Sequence, residues 1–315
     1  MVLKKEITKT HTEGDQDESG NYRQLLVRTL HSCCVKYPDV APTVVPMLTE
    51  FLGDTNEQAA LDVLLFVREA VLKFTSLKGV IIEKLLENFH TIRNVKIHRH
   101  TLWILGEHCT ESNDIISVIK EIKAGLGELP MVEDELHRMA GKEDDEDEDK
   151  EESSKSKSSG SSQRMVTADG TYATQSALVS KSSTAEEEQR PPLRSYLLKG
   201  DFFIGSAIAS TLTKLALRFY EVDSNVSHQN KFTAEAMLVM ASIIHLGKSG
   251  IPSKAITDDD LDRIAVCTKV LAEKNEFVRI IFNEECRKAV THMLEESKSV
   301  IEYGKGMGFL IFFKM

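Results

Sequence analysis

The feature that most constrains the fold is a regular succession of apolar helical segments in the first half of the chain. Six segments with helical periodicity are predicted at roughly 22–36, 41–52, 57–74, 78–89, 95–109 and 113–127. Odd-numbered and even-numbered segments each recur at about 35 to 38 residues, the spacing of helix pairs in an α-solenoid. The sequence therefore predicts an all-α fold of the HEAT/armadillo-like α-solenoid kind, because the Trp, Leu-Gly and Tyr positions of TPR repeats are missing. A plain helical bundle is the alternative.

The segment 57–74 shows the kind of burial that such a solenoid needs. Apolar residues that share one helical face are Ala60, Val63, Leu64, Val67, Val71 and Phe74. Ala59, Phe66 and Ala70 line a second face. A helix that is apolar on two faces lies between neighbouring helices, so we expect Phe66 in the core.

The helical pattern resumes in the second half of the chain. One predicted helix has an apolar stripe made of Ile204, Ile208, Leu212, Leu215 and Phe219. We expect Asp201 to cap this helix, Thr257 to cap the helix that starts with three aspartates, and Ser112 to cap the sixth helix of the first half. Gly247 is expected to end a helix.

Composition divides the chain into five parts. These are a polar N-terminal arm (1–20), α-solenoid helix pairs (21–130), a largely disordered acidic and Ser-rich linker (131–192), continuing α-solenoid (193–296) and a divergent apolar tail (297–315). Residues 142–152 hold nine acidic residues and two lysines, too polar to offset the entropy of ordering. The less polar segment 165–178, MVTADGTYATQSAL, is a candidate strip that docks on the solenoid.

Charge and cysteine content exclude several classes of protein. The formal net charge is −10 and the pI is near 5.6, so we expect no nucleic-acid partner. No run of 18 apolar residues is present, and the N-terminus has no apolar signal segment. The odd count of five cysteines favours reduced thiols and a cytoplasmic location.

The strongest candidate for chemistry is the sequence HRHTLWILGEHC at 98–109, which offers His98, His100, His108 and Cys109 as metal ligands. On a helix, however, His98 and His100 point about 200° apart, and His100 and His108 are separated by ~12 Å along the axis. We therefore expect satisfied histidines and a core Trp103 rather than a zinc site.

Two glycine-rich strings also fall short of nucleotide-binding motifs. GKSG at 247–250 lacks the first glycine of a phosphate loop, because position 242 is Ser, and GKGMGF at 304–309 has Phe at the third glycine position. No GxSxG or HExxH motif occurs. We expect no catalytic residues, no cofactor, no metal and no enzymatic activity.

Nine long strings in the chain are specific enough to indicate a family. They are YRQLLVRTLHSC (22–33), DVLLFVREAV (62–71), LWILGEHC (102–109), IKAGLGELPMVE (122–133), GTYATQSAL (170–178), RPPLRSYLLKGDFF (190–203), LTKLALRF (212–219), AEAMLVMASIIHLGKS (234–249) and ITDDDLDRI (256–264). These strings resemble the trunk of the beta subunits of coatomer, a family similar to the large adaptin subunits. They run in the family order over about residues 1–296.

The resemblance implies a structural subunit of the COPI coat that mediates Golgi-to-ER and intra-Golgi vesicle transport. Its implied partners are other coatomer subunits, the delta subunit foremost, an Arf-type small GTPase, and indirectly the Golgi membrane surface. The implied location is cytoplasmic, and peripheral on the Golgi membrane and COPI-coated vesicles.

The sequence departs from this family at its ends, and other functions remain as alternatives. Family members are longer, so we expect Met1 to be an internal methionine and the chain to be a trunk fragment. The tail KSVIEYGKGMGFLIFFKM leaves the family pattern. The alternatives are a generic helical-repeat scaffold or transport receptor unrelated to coats, and a helical enzyme.

Overall fold

The structure, a computed structural model, describes residues 16–53, 56–139, 190–273 and 275–303, and no strand lies among them. The α-helices described before residue 140 are α1 (Gln16–Lys36), α2 (Ala41–Thr49), α3 (Glu57–Lys73), α4 (Lys78–Phe89), α5 (Val95–His108), α6 (Ser112–Leu126) and α7 (131–139). Those described after residue 189 are α8 (Pro192–Leu198), α9 (Phe203–Val222), α10 (Val226–Lys248), α11 (Asp258–Glu273), α12 (Glu276–Ile280) and α13 (Cys286–Tyr303). The five residues Ile281–Glu285 form a π-helical turn between α12 and α13.

The helices stack in two layers. In one layer α1, α3, α5, α9 and α11 pack side by side in that order, and in the other α2, α4, α6 and α10 do the same, with α8 against α6. A single apolar core that extends from Leu26 to Leu271 fills the space between them. Each helix packs against the equivalent helix of the next pair in its own layer. The prediction of an all-α solenoid, rather than a plain helical bundle, is therefore confirmed.

The stack continues across residues 140–189, which lie outside the described residues. The helix that follows α5 in its layer is α9, so more than ninety residues of sequence separate two adjacent helices. The candidate strip 165–178 and the acidic tract 142–152 belong to the part of the chain that the structure does not describe.

The helices extend beyond two of the predicted boundaries. The first helix begins at Gln16, inside the predicted arm, rather than at residue 22. Residues 131–139, predicted as linker, are helical. Met131 and Val132 are buried against the core, and this apolar contact stabilises a helix whose sequence is otherwise dominated by charge.

One predicted cap is confirmed and two are wrong. The Thr257 hydroxyl accepts a hydrogen bond from the Asp260 amide at 3.2 Å, as an N-cap does. Ser112 is instead the first residue of α6, because Glu111 holds the extended backbone of the cap position. The Asp201 amide donates to the Tyr196 carbonyl at 3.1 Å, and α9 starts two residues later without a side-chain cap.

Gly247 does not end its helix as predicted. It lies inside α10, where a Cβ atom would stand 2.6 Å from the Ile256 Cβ. The left-handed backbone occurs at Gly250, whose φ is +80°, just after the helix ends at Lys248. Gly247 therefore permits close packing of the following loop, and Gly250 turns the chain.

Candidate functional site: the junction across residues 140–189

The candidate site is the junction where α9 packs on α5 and joins the two helical blocks. Thr211 donates a hydrogen bond from its Oγ1 to the Leu102 carbonyl at 3.1 Å, both groups being buried. A Cβ atom on Gly106 would stand 3.3 Å from the Thr211 Cα, which is tighter than an ordinary van der Waals contact, so the two backbones approach closely. The junction therefore depends on small and matched side chains at its centre.

A buried carboxylate lies at the end of α5 in this junction. Glu107 is 3% exposed and forms ion pairs with Lys214 of α9 and with Arg287 of α13, whose Nε lies 3.5 Å from Oε2. Arg287 also donates to the Glu107 carbonyl. Glu107 thus links three helices, two of which follow residue 189.

The carbonyl groups at the end of α5 accept hydrogen bonds from a second cationic side chain of α9. Arg218 of α9 is buried and donates to the carbonyls of Gly106, at 3.1 Å, and Cys109. Burial, with the nearby Arg287 charge, lowers the pKa of Arg218 to about 10. Burial and the charges of Arg218 and Arg287 also lower the pKa of Lys78. The negative end of the helix dipole and Glu107 offset this crowding.

A second polar cluster joins the residues just before and just after 140–189. Arg194 of α8 is fully buried and forms ion pairs with Asp134 and with Glu135 of α7, the latter at 3.3 Å. Arg190 places Nη2 at 3.4 Å from the same Glu135. The residues just before and just after 140–189 are therefore held together, so this segment leaves and rejoins the solenoid at one place.

The structure gives His98 a packing role. It is fully buried, with Nδ1 at 3.1 Å from the Tyr196 hydroxyl and Nε2 at 3.2 Å from the Phe89 carbonyl. Burial lowers the pKa of His98 to about 4. This neutral imidazole connects α4, α5 and α8, and both of its nitrogens are occupied.

The other three candidate ligands do not meet His98 in a metal site. His100 places Nδ1 2.7 Å from the Lys96 carbonyl of its own helix. Burial lowers the pKa of His108 to about 4 and raises that of the Cys109 thiol to about 12. Across the described ranges no group of three His, Cys, Asp or Glu residues is arranged to hold a metal ion.

The charged residues of the junction were missed by the sequence analysis. The only local indication in the sequence is their helical spacing, because Lys214 and Arg218 follow Thr211 by three and seven residues on one face of α9. Their partners at the end of α5 are Glu107 for Lys214 and the carbonyls of Gly106 and Cys109 for Arg218. All of them lie more than one hundred positions away. The junction can therefore fix the relative position of helices, which is a mechanical role.

Among the described helices none is both long and apolar enough to cross a membrane.

Comparison with known proteins agrees with this helical stack. The profile of the adaptin N terminal region matches residues 2–185. Coatomer subunit beta of Pongo abelii is 53% identical over 294 residues, which are 93% of this chain and 30% of that relative. The Drosophila melanogaster subunit is 53% identical over 304 residues, 94% of this chain and 31% of the relative. Coatomer subunit beta-1 of Arabidopsis thaliana is 39% identical over 305 residues, which are 95% of this chain and 31% of that relative.

The chain spans about a third of the length of these curated relatives. No solved structure matches it. The family profile nevertheless covers more than half of the chain, and the similarity to coatomer beta subunits extends through both helical blocks. The chain therefore belongs to the adaptin N-terminal region family and is similar to the beta subunits of coatomer.

Proposed function

We propose that this chain is a structural segment of the COPI vesicle coat, acting in Golgi-to-ER and intra-Golgi transport. The observation that carries the proposal is the 53% identity to a coatomer beta subunit over 93% of the chain. Its partners would be other coatomer subunits, the delta subunit foremost, and an Arf-type small GTPase. It would act without enzymatic activity, in the cytoplasm and peripherally on Golgi membranes and coated vesicles.

The geometry supports a scaffold role. A solenoid presents an extended surface whose shape depends on the packing of each helix pair on the next. The ion pairs of Glu107 and Arg194 keep this packing continuous on both sides of a long insertion. A continuous stack of helices with an extended surface suits assembly with several neighbours better than binding of one small molecule.

Affinity capture from cytosol tests the proposal. The full tagged chain is expected to recover other coatomer subunits, identified by mass spectrometry. Arg194→Met, which removes a buried cation, should abolish recovery if assembly needs the continuous rod. Arg138→Met, which removes an exposed cation on α7, should retain it. Recovery of transport cargo or chaperones without coatomer subunits would favour a scaffold or receptor unrelated to coats.

A further inference from the structure

A cleft lies beside the base of residues 140–189. It has a volume of about 270 Å³, and its lining includes Met139 of α7, Leu198 of α8 and Ile251 of the loop after α10. Glu135 and Arg190 also line it. This volume is below that of a typical small-molecule site and suits one or two side chains.

The cleft contains a buried carboxylate oxygen, Glu135 Oε2, that forms an ion pair but accepts no hydrogen bond within the part of the chain that the structure describes. Glu135 is 1% exposed, and among the described residues no group donates a hydrogen bond to its Oε2, although Arg190 lies 3.4 Å away. The adjacent Arg194, fully buried, has an unpartnered Nε. Buried polar atoms in folded proteins nearly always have a partner. A ligand with N–H or O–H donors would satisfy the carboxylate of Glu135.

The chain between Met139 and Arg190, which both line the cleft, contains one candidate for such a ligand. Within 140–189, every apolar side chain larger than alanine lies in 165–179: Met165, Val166, Tyr172, Leu178 and Val179. The same stretch has a single charged residue, Asp169, whereas the flanking sequence is rich in acids and lysines. Only this stretch can enter a half-apolar cleft without burying several charges.

We propose that residues 165–179 of the same chain dock in this cleft, with the Tyr172 region against Met139, Leu198 and Ile251. The eleven residues 180–190 can span ~36 Å when extended, so the segment reaches the cleft with ease. Tethering at such a short distance gives an effective concentration near the millimolar range. A cleft of this size would bind an untethered protein weakly, and this favours an intramolecular occupant.

Amide hydrogen exchange of the full chain tests the docking. Peptides within 165–179 should exchange at least about tenfold more slowly than peptides within 150–162, because docked backbone is protected. Equal rates in the two segments would overturn the proposal.

Two substitutions on one helix provide a matched pair. Met139→Glu introduces a charge into the cleft beside Glu135 and should bring exchange of 165–179 to the rate of 150–162. Leu136→Glu introduces the same charge at a residue that is 53% exposed and does not line the cleft, so protection should remain. Equal effects of both substitutions would contradict docking in this cleft.

Dilution separates an intramolecular occupant from a second copy of the chain. Protection of 165–179 is expected to be independent of protein concentration over a hundredfold range. Protection that disappears on dilution would assign the occupant to another molecule and overturn the proposal. Tyr172→Ala should release the segment while far-UV circular dichroism stays unchanged, since the helices do not depend on it.

Discussion

Gly106 of α5 faces Thr211 of α9 at a distance that leaves little room for a Cβ atom. A Cβ atom at Gly106 would stand 3.3 Å from the Thr211 Cα and 3.4 Å from its Oγ1. The first of these atoms is backbone, which cannot move aside as the end of a flexible side chain can. This contact sets the spacing between the helical blocks that precede and follow residues 140–189.

Gly106→Val should therefore destabilise the chain by about 1–3 kcal/mol through overpacking of the junction. Gly79→Ala is the matched control, since a Cβ atom there meets nothing within 4 Å and lies in α4. This second change should be neutral or stabilise by up to about 1 kcal/mol, because alanine loses less backbone entropy than glycine in a helix. Urea unfolding of both variants measures the difference, and similar losses would show that the α5–α9 contact tolerates separation.

Arg194→Met should destabilise the chain by about 3–5 kcal/mol, because it removes the fully buried cation that Asp134 and Glu135 share and leaves the buried Glu135 with Arg190 alone. Arg138→Met removes another cation from the same Asp134, at 3.1 Å, but Arg138 is 44% exposed. Its loss should cost less than about 1 kcal/mol. Chemical unfolding monitored by circular dichroism compares them. A cost for Arg194→Met as small as the control's would mean that the base of the segment is not clamped by this cluster.

The periodicity of apolar residues was sufficient to predict the helices and their stacking, because burial of one face dictates a spacing that any helix must obey. Predicted starts and ends of α4 agree with the structure at Lys78 and Phe89. Caps were harder to predict. The structure uses asparagine side chains as N-caps at Asn56, Asn94, Asn225 and Asn275. Serine, aspartate and asparagine all occur in loops, and only the backbone angles of the preceding turn decide which one accepts the bond.

The polar junction could not be predicted, because its partners are distant in sequence. Lys214 and Arg218 are ordinary helix-forming residues, and nothing near them indicates Glu107 or the end of α5. Which charge is buried depends on which helix follows α5 in the layer. To predict that order, one would have to know that the next helix beside α5 is α9, which follows it only after residues 140–189.

Phe66→Ala and Leu215→Ala test whether the predicted helix faces carry the core. Phe66 is 1% exposed and Leu215 fully buried, so the substitutions should cost about 3–5 and 2–5 kcal/mol respectively. Leu25→Ala is the control, since Leu25 is 62% exposed on α1 and its truncation should cost under about 0.5 kcal/mol. Melting temperatures of the three variants provide the comparison. An unchanged melting temperature for either core variant would contradict the assigned face.

Stability should fall as the pH falls from 6.5 to 4, because burial lowers the pKa of His98 and of His108 to about 4. In the unfolded chain these imidazoles bind protons near pH 6.5, so below that pH the unfolded state holds more protons than the folded state and the free energy of unfolding decreases. Each histidine contributes on the order of 3 kcal/mol, fully present above pH 6.5 and lost progressively down to pH 4. His98→Phe should reduce the slope of unfolding free energy against pH, even though it also removes the bonds to Tyr196 and Phe89. Urea midpoints of the unsubstituted chain and of His98→Phe, measured from pH 4 to 7.5, provide the comparison, and equal slopes would contradict the prediction.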